Sequence, residues 1–540
     1  MRSKSISHHL KRIADWWLTA SVHFDAFWLE PRAYMTATKW WIRRKRVRSR
    51  GQFALLLSRS PKAYMLWALR QDRGGTPTSP PDNDHPVIAL VDIRMDNQPR
   101  DVAATLESLA SEGLSALLIG VPEAPSLADI ISKIDWERAP WLLPIAAGDR
   151  IRPGTIAAYR AVMDDPARRL IYADDDLLTG RWRRMPHFKP DWNAELYGHY
   201  DYITGSCMVR VTRSELEAVA DQPDWAECLT AKIVVEGEPL HLRAMMHHRC
   251  RRPQICLPAI PLYIAHSLPP VSVIVPTRNR VDLLRACLDG VMGSDYPEVE
   301  IIVVDNDSDD PDTLDYLAGL DPTRCKLLHH AGPFNYSAIN NRAVEYAKGR
   351  LICLLNNDIE VREPNWLAIM ATQALRPEVG AVGARLLYPD GRIQHAGVVI
   401  GVGNAAGHAH RFLHPAQEGY FHRHNLPQFT SAVTAACLLV ERDKFLAVGG
   451  LNERDFAVAF NDVDLCLRLN QRGWQSLYEP RATLIHHESV SRGLDQDPVG
   501  AARFAAELAA LKRIWKTDEI FDPYHHPQLS RASEQFAVTI

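Results

Sequence analysis

The 540-residue sequence lacks several patterns that would assign a function directly. It contains no apolar run of about 18 residues, the length that a transmembrane helix requires. Its first residues lack the apolar core of a secretory signal. Neither the G-x-G-x-x-G pattern of a dinucleotide site nor a P-loop lysine motif is present. These absences argue against a membrane-spanning protein and against a nicotinamide dehydrogenase.

The cysteines also lack a pattern. There are nine, an odd number, and no two form a C-x-x-C pair. Such usage is typical of a reducing compartment and argues against a disulfide framework. The tightest His/Cys group is His247, His248, Cys250 and Cys256, whose spacing fits no standard zinc pattern, so we expect a structural role for it. The sequence predicts a cytoplasmic protein.

The N-terminal segment is strongly basic. Residues 1–75 contain 16 Lys/Arg and 4 Asp/Glu, a net charge of +12, so the other 465 residues carry −15 of the total of −3. The same segment holds six of the 14 tryptophans. Tryptophan and basic residues together favour the headgroup zone of an anionic membrane, on the inner face of the cytoplasmic membrane. The alternative is a helical arm that packs on the body or a partner. The positive charge alone would permit nucleic-acid binding, but nothing else in the sequence supports it, so no nucleic acid is expected.

Two stretches read as linkers, residues 71–85 and residues 257–270. They divide the chain into a basic, Trp-rich helical arm (1–75), an α/β domain (86–260), a second α/β domain (268–515) and a C-terminal tail (516–540). In the second domain, apolar strands are predicted at 271–275, 301–304 and 351–355, with helices at 281–291 and 336–348. Gly349 is the expected helix stop. Alternation of strands and helices indicates largely parallel sheets.

The two α/β domains share a local pattern. The sequence from Asp149 resembles the sequence from Asp358: in both, a strand ends in aspartate and an amphipathic helix follows a proline. This similarity suggests a duplicated fold.

Polar residues follow the predicted strands of the second domain, at positions 277–279, 305–308 and 356–358. In an open parallel sheet, ligands bind beyond the carboxyl ends of the strands. An acidic crevice there would repel a diphosphate unless a divalent cation lay between them. Asp358 is the natural ligand, because hard cations prefer oxygen donors.

A series of motifs then connects the second domain with a known family. The segments, in chain order, are VSVIVPTRN from residue 271, IIVVDNDSD from 301, GPFNYSAINN from 332, LLNNDIEV from 354, YPDGRIQHAG from 388, FNDVDLCLR from 460 and HHESVS from 486. Residues 271–493 thereby resemble glycosyltransferase family 2, whose members are inverting enzymes of the Rossmann-like GT-A fold with a mostly parallel sheet. The nearest resemblance is to bacterial enzymes that build O-antigen and capsule.

The resemblance implies a role for each matching residue. Asp358 and His486 would hold a divalent metal, Mn²⁺ or Mg²⁺, and Asp462 would be the catalytic base. Thr277 and Asp305 would contact the base of the nucleotide. The full donor-binding set is Thr277, Asn279, Asp305, Asn306, Ser308, Asn335, Asn341, Asn356 and Asn357.

Two positions depart from the family pattern. Asn356 stands where the D-x-D motif has its first aspartate, so one carboxylate is left to hold the metal directly. Asn461 replaces the glutamate that usually precedes the base. The resemblance also suggests that residues 403–428, which contain five histidines, form a mobile acceptor-side segment over the cleft.

The first domain lacks most of these parts. Residues 147–149 read Ala-Gly-Asp, and no Asn-Asp-Val-Asp helix follows. We therefore interpret residues 86–260 as a degenerate GT-A-like copy that binds glycan or supports the second domain. Its run Asp174-Asp175-Asp176 is predicted to be a solvated strand end.

The resulting hypothesis is an inverting transferase that moves a sugar from a nucleotide-sugar donor to a hydroxyl of a growing bacterial surface glycan, either free or lipid-linked. Two alternatives stay open: a two-domain glycan polymerase with both domains active, and a non-catalytic scaffold in a polysaccharide assembly complex.

Overall fold

The basic N-terminal segment is helical, as predicted. A computed structural model describes residues 2–71, 85–95, 98–180, 182–252, 264–487 and 498–540. Most of the first predicted linker (72–84) and half of the second (257–263) lie outside these residues. The four helices of the arm are α1 (Arg2–Leu29), α2 (Pro31–Ile42), α3 (Arg46–Ser58) and α4 (Ala63–Gln71).

The first α/β domain is built on an eight-stranded sheet. Its strands are β1 (Val87–Asp92), β2 (Ser115–Ile119), β3 (Trp141–Ala146), β4 (Arg150–Ile151), β5 (Leu170–Thr179), β6 (Trp182–His187), β7 (Cys207–Arg210) and β8 (Leu240–Arg249). Its α-helices are α5 (Pro99–Ala110), α6 (Ala128–Ile131), α7 (Thr155–Arg160), α8 (Ala194–His199), α9 (Arg213–Glu217) and α10 (Trp225–Glu236).

The second α/β domain has a ten-stranded main sheet and a separate two-stranded one. Its strands are β9 (Val271–Thr277), β10 (Val299–Asp305), β11 (Cys325–His329), β12 (Leu351–Leu355), β13 (Ile359–Val361), β14 (Val379–Leu387), β15 (Ile393–His395), β16 (Val398–Ile400), β17 (Ala406–His408), β18 (Gln428–Thr430), β19 (Cys437–Glu441) and β20 (Gln475–His486). Its α-helices are α11 (Val281–Met292), α12 (Pro311–Ala318), α13 (Tyr336–Tyr346), α14 (Trp366–Ala374), α15 (Arg442–Ala447), α16 (Asn461–Gln471) and α17 (Pro498–Trp515).

Both faces of the second sheet are covered, and its sequence explains why. All seven residues of β9 are buried. Alternate side chains of a strand point to opposite faces, so Val273 joins one core cluster and Ile274 the other. On α11, Leu284, Leu288 and Val291 follow helical spacing and are buried in the first of these clusters. The predicted fold class, α/β domains after a helical arm, is confirmed.

The two sheets share one strand order. The first runs β2-β1-β3-β7-β5-β8-β4, and the second contains the run β10-β9-β12-β19-β14-β20-β13. Corresponding pairs also have the same direction. For example, β1–β3 and β9–β12 are parallel, whereas β3–β7 and β12–β19 are antiparallel. At one end, β4 pairs antiparallel with β8, as β13 does with β20.

One predicted role is wrong in its detail. Helix α13 ends at Tyr346, so Gly349 is not its terminal residue. Gly349 lies where the chain passes the backbone of β9. A Cβ atom there would lie 2.4 Å from the Ser272 backbone nitrogen. Glycine is therefore required at this position by the close approach of two backbone segments.

The prediction that residues 174–176 are solvated is also wrong. All three carboxylates lie in β5 and are at most 1% exposed. Asp175 meets Lys189 Nζ at 2.9 Å and Arg252 Nε at 2.6 Å. Burial alone raises the pKa of Asp175, but Lys189 and Arg252 outweigh it and hold that pKa well below its usual value. The run is a buried, paired cluster because each carboxylate has a cationic or hydrogen-bonding partner.

The other two carboxylates connect distant parts of the chain. Asp174 lies 3.0 Å from His526 Nε2 in the C-terminal segment and 3.2 Å from His241 Nε2. Asp176 accepts a hydrogen bond from the Tyr64 hydroxyl of α4. The predicted tail, residues 516–540, is thus packed against the body, with Leu529 and Phe536 buried beside Tyr64.

The histidine-containing segment 403–428 is packed as well. His410 and His424 are at most 2% exposed. The Tyr420 hydroxyl donates to the Phe188 carbonyl and accepts from its backbone N–H, which ties the segment to the first domain. These contacts fix the segment against the first domain and do not support the expectation of a mobile segment over the cleft. In the described part of the chain, no helix combines the length and apolar character needed to cross a bilayer.

Replacing Gly349 with alanine is expected to destabilise the protein by about 1–3 kcal/mol, because the new methyl group forces β9 and the segment before β12 apart. The measurement is the free energy of unfolding in urea. Gly198→Ala is the matched control, since a Cβ atom on this helical glycine meets nothing within 4 Å. Equal stability of the two variants would contradict the close-approach argument.

Candidate functional site

The polar ends of three neighbouring strands meet at one edge of the second sheet. Strands β10, β9 and β12 are parallel neighbours, so residues 305–308, 277–279 and 356–358 lie side by side. The Asn357 amide donates to Thr277 Oγ1 at 3.0 Å, which joins two of the three strand ends. Asp305 is 3% exposed, and its Oδ1 accepts from the Ser308 backbone N–H at 3.2 Å. The sequence correctly predicts this convergence.

Asp358 and His486 are brought together by strand pairing. Ile359 of β13 is the register partner of His486 in β20. His486 Nε2 consequently lies 3.1 Å from Asp358 Oδ1, with the Asn356 amide nitrogen 3.4 Å from the same ring atom. Asp358 is 4% and His486 is 8% exposed. The next residue, His487, points away and meets Glu360 at 3.0 Å.

Sequence reasoning missed the residue that orients the His486 ring. Gln394 Oε1 lies 2.7 Å from His486 Nδ1, and the Gln394 side chain is buried. An amide oxygen can only accept, so Nδ1 donates to Gln394 and Nε2 is the ring atom that faces Asp358. Gln394 belongs to the segment YPDGRIQHAG from residue 388, but nothing in that segment indicates which of its side chains contacts His486.

Asp462 lies in the first turn of α16 on the other side of this site. Its Oδ2 accepts from the Ala435 backbone N–H at 3.0 Å, and its Oδ1 accepts from the Val463 N–H at 2.8 Å. Burial raises the pKa of Asp462, while the bond from Ala435 and one from Thr434 oppose that rise. Two residues before Asp462, Phe460 has a left-handed φ of 63°, an uncommon conformation for a bulky side chain that concentrates at functional sites.

The two halves of the site are linked through one short segment. The Asn356 backbone N–H donates to the Ala436 carbonyl at 3.0 Å, and Asp462 binds the adjacent Ala435. Asn356 and Asp462 therefore contact neighbouring positions of the same chain segment. This segment connects the strand end that carries Asp358 with the first turn of α16, which carries the predicted base.

Asp464, two residues beyond the predicted base, has a different environment. It is 2% exposed, and its Oδ2 accepts from Arg468 Nε at 2.8 Å. Its Oδ1 accepts from the Trp515 indole at 2.9 Å. One oxygen is thus used within α16 and the other to hold α16 against α17, which gives Asp464 a structural role.

Several predicted donor-binding residues make structural hydrogen bonds. The Asn341 amide bonds both the N–H and the carbonyl of Leu451 and also Glu453. Asn335 caps α13 by accepting from the Ala338 N–H at 2.9 Å. These two asparagines brace the segment around residues 451–453, and donor contacts by them stay a prediction.

The loops after β9 and β10 show a similar use of polar groups. Asn279 accepts from the N–H groups of Asp309 and Asp310, and Ser308 Oγ accepts from the Asn279 N–H at 2.9 Å. The Asn306 amide donates to the carbonyls of His330 and Gly332. These bonds shape the strand ends, and a donor contact for each residue stays a prediction.

The first domain places similar residue types at equivalent positions but pairs them differently. Arg150 of β4 is opposite His248 of β8, as Ile359 is opposite His486. The Asp149 carboxylate, however, accepts from the Cys250 N–H at 2.7 Å, and burial raises its pKa to about 6. His248 instead meets Asp176 Oδ1 at 2.7 Å.

Comparison with known proteins gives one family. Residues 272–424 match the model of glycosyl transferase family 2, a range that contains Asp358 and ends before Asp462 and His486. The chain is similar to an uncharacterised protein of Sinorhizobium fredii, with 37% identity over 76% of this chain and 50% of that protein. It is also similar to an O-antigen biosynthesis protein of Myxococcus xanthus, with 35% identity over 72% of this chain and 33% of that protein.

A third relative is a rhamnosyltransferase of Mycobacterium tuberculosis that acts on N-acetylglucosaminyl-diphospho-decaprenol. It is 30% identical over 27% of this chain and 49% of the relative. The chain therefore spans half or less of the length of these three relatives. Among solved structures, a Pyrobaculum calidifontis mannosyltransferase in complex with GDP-mannose and Mn²⁺ aligns with a TM-score of 0.36 and 20% identity, over 50% of this chain and 71% of that one.

The contact between Gln394 and His486 gives a prediction. Gln394→Leu leaves a buried imidazole N–H without its acceptor, which is expected to destabilise the protein by about 1–3 kcal/mol. A double-mutant cycle with His486→Ala, measured by urea unfolding, should give a coupling energy of about 0.5–3 kcal/mol. The His487→Ala variant supplies the control, since His487 faces away. Additive effects of Gln394→Leu and His486→Ala would contradict the contact.

Proposed function

We propose that the chain is an inverting glycosyltransferase that moves a sugar from a nucleotide-sugar donor to a hydroxyl of a growing bacterial surface glycan. The observation that carries the proposal is that Asp358 pairs with His486, while Asn356, two residues before Asp358, and Asp462 contact the adjacent residues 436 and 435. The family model that covers residues 272–424 supports the same class of reaction.

The side chains of Asp358 and His486 offer ligand atoms that suit a divalent cation. His486 Nε2 and Asp358 Oδ1 lie 3.1 Å apart, and a cation shared by a neutral imidazole and the carboxylate would stabilise this arrangement. A carboxylate and an imidazole suit Mn²⁺, and Mg²⁺ would rely more on the carboxylate. When bound, the ion would neutralise the charge on the departing nucleoside diphosphate. Asn356 lies beside these two ligands, with its amide nitrogen 3.4 Å from His486 Nε2.

The nucleotide is proposed to bind along the ends of β9 and β10. Thr277 and Asp305 lie in register on these neighbouring strands. Asn357, bonded to Thr277, continues this edge towards Asp358. A donor held there has its diphosphate beside the proposed metal ligands. The identity of the base and of the sugar would be read by side chains that line this edge.

Asp462 is proposed as the catalytic base. Inversion requires one group that accepts the proton of the acceptor hydroxyl while its oxygen attacks the anomeric carbon opposite the leaving diphosphate. Burial raises the pKa of Asp462, which makes its carboxylate a stronger proton acceptor than an exposed aspartate. Asp464 is committed to Arg468 and Trp515, which leaves Asp462 as the acid of α16 suited to this role.

The acceptor is proposed to be a glycan of the cell envelope, carried on a lipid. Support comes from the relatives, one of which is an O-antigen biosynthesis protein and another a transferase that acts on a diphospho-decaprenol glycan. The proposal concerns the whole protein and extends beyond the matched residues.

The central test compares Asp358→Asn and Asp462→Asn. Asp358→Asn is expected to weaken Mn²⁺ binding, measured by electron paramagnetic resonance, because it removes the metal-facing charge. Asp462→Asn should retain Mn²⁺ and donor binding but lose about 10²–10⁴-fold in transfer rate. Glu363→Gln, at an exposed acid near β13, is the control and should retain both properties. Unchanged transfer in Asp462→Asn would overturn the assignment of the base, and absence of donor hydrolysis and transfer in the unaltered protein would favour a scaffold.

A second candidate, a polymerase with two active domains, is favoured by the shared strand order of the two sheets. We infer instead that the first domain is a degenerate copy, because Asp149 is held by Cys250 and the equivalent imidazole, His248, is paired with Asp176. Its role would be support of the second domain.

Asp149→Asn distinguishes these candidates. The amide oxygen can still accept from the Cys250 N–H, so the fold should survive. With one active domain, both the rate of transfer and the product length should match those of the unaltered protein in a gel assay of glycan products. Shorter products from a variant with an unchanged melting temperature would instead support two active domains.

A further inference from the structure

The arm exposes an apolar stripe along α1. Ile13, Trp16, Trp17, Phe24 and Trp28 are each at least 56% exposed, and their spacing places them on one face of the helix. A contiguous exposed patch of this kind is typical of an interaction surface, unlike single exposed apolar residues.

The opposite face of α1 is the one that holds the arm together. Leu18 and Val22 are buried against Leu66 of α4, and Ala26 is buried with Leu56 of α3. The exposed stripe is therefore not the packing face of the helix. It remains available after the arm has folded.

The acidic residues of α1, and Glu30 directly after it, are paired within the arm. Asp15 meets Arg70 at 3.0 Å, and Asp25 meets Lys62 at 3.2 Å. Glu30 pairs with Arg59. These pairs use Arg59 and Lys62, which lie between α3 and α4, and Arg70 of α4. The negative charges that the structure describes in the arm therefore do not neutralise its other basic residues.

The outer basic residues are concentrated at the corner between α2 and α3. Arg43, Arg44, Lys45 and Arg46 are exposed, and no described acidic side chain forms an ion pair with any of them. Exposed apolar residues flank this run on both sides: Trp41 is 63% exposed, Ile42 68% and Val47 61%. The corner thus repeats the combination of exposed apolar and positive groups.

We infer that the stripe on α1 and the corner of α2 and α3 dock on an anionic lipid bilayer. Tryptophan indoles favour the boundary between headgroups and acyl chains, and arginine and lysine attract anionic headgroups. A purely electrostatic partner would not require the large apolar side chains to face outward. The inference concerns the arm alone and does not depend on the proposed transfer reaction.

The arm is attached to the body at a defined place, which gives the docking a geometric consequence. Tyr64 of α4 donates to Asp176 of the first domain, and the Trp67 indole donates to Gln528 of the C-terminal segment at 2.9 Å. Both contacts are largely buried. A bilayer that binds the arm is therefore held in a fixed relation to both domains.

Vesicle flotation of the full chain tests the inference. Vesicles of phosphatidylcholine with phosphatidylglycerol should recover at least tenfold more protein than vesicles of phosphatidylcholine alone, and added salt should reduce recovery. The triple variant Trp16→Ser, Trp17→Ser, Trp28→Ser should lose most of the binding although its charge is unchanged. The triple variant Arg43→Glu, Arg44→Glu, Lys45→Glu should lose it as well.

Matched controls lie on the body. The double variant Trp182→Ser, Val235→Ser removes exposed apolar side chains, and the double variant Arg350→Glu, Arg362→Glu reverses exposed charges. Each control variant should bind vesicles as the unaltered protein does. Unaltered melting temperatures show that the variants fold. Absence of flotation, or full flotation of either arm variant, would overturn the inference. So would a chain that self-associates through the tryptophans, detected by sedimentation, and does not float.

Discussion

Burial of three adjacent carboxylates is the constraint on which the arrangement of the chain depends. An ionised carboxylate removed from water must be paired or hydrogen-bonded, because its unpaired burial costs more than most folded proteins can tolerate. The partners of Asp174, Asp175 and Asp176 come from the first domain, from the arm and from the C-terminal segment. Pairing of the three carboxylates of β5 therefore fixes the arm and the C-terminal segment, which are hundreds of residues apart, against the first domain.

The site of the second domain depends on strand register in a comparable way. Position 486 meets position 358 because β20 and β13 are antiparallel partners, with Ile359 opposite His486. A shift of one residue would turn His486 to the other face of the sheet and bring His487 inward. Gln394 then fixes the rotation of the ring itself. Register selects the residue, and a hydrogen bond selects the ring atom that faces Asp358.

The sequence could predict what local pattern determines. The strand at 351–355 is found at those residues, since five apolar residues in a row between polar ones permit little else. The convergence of residues 277, 305 and 358 follows from parallel pairing. Partners distant in sequence could not be predicted. Lys189 and Arg252 form ion pairs with Asp175, and the Asn341 amide donates to the Leu451 carbonyl. In each case the expected role of the side chain, in solvent or at the donor, differs from the contact it makes, and no motif identifies the partner residue.

The contact between Asp174 and His526 affects the order in which the chain can complete itself during synthesis. Strand β5 emerges from the ribosome about 350 residues before His526 is made. Until then, Asp174 can already pair with His241 and with the Lys189 backbone N–H of its own domain. The second imidazole arrives only when the C-terminal segment is translated, so this contact is among the last of the chain that can form.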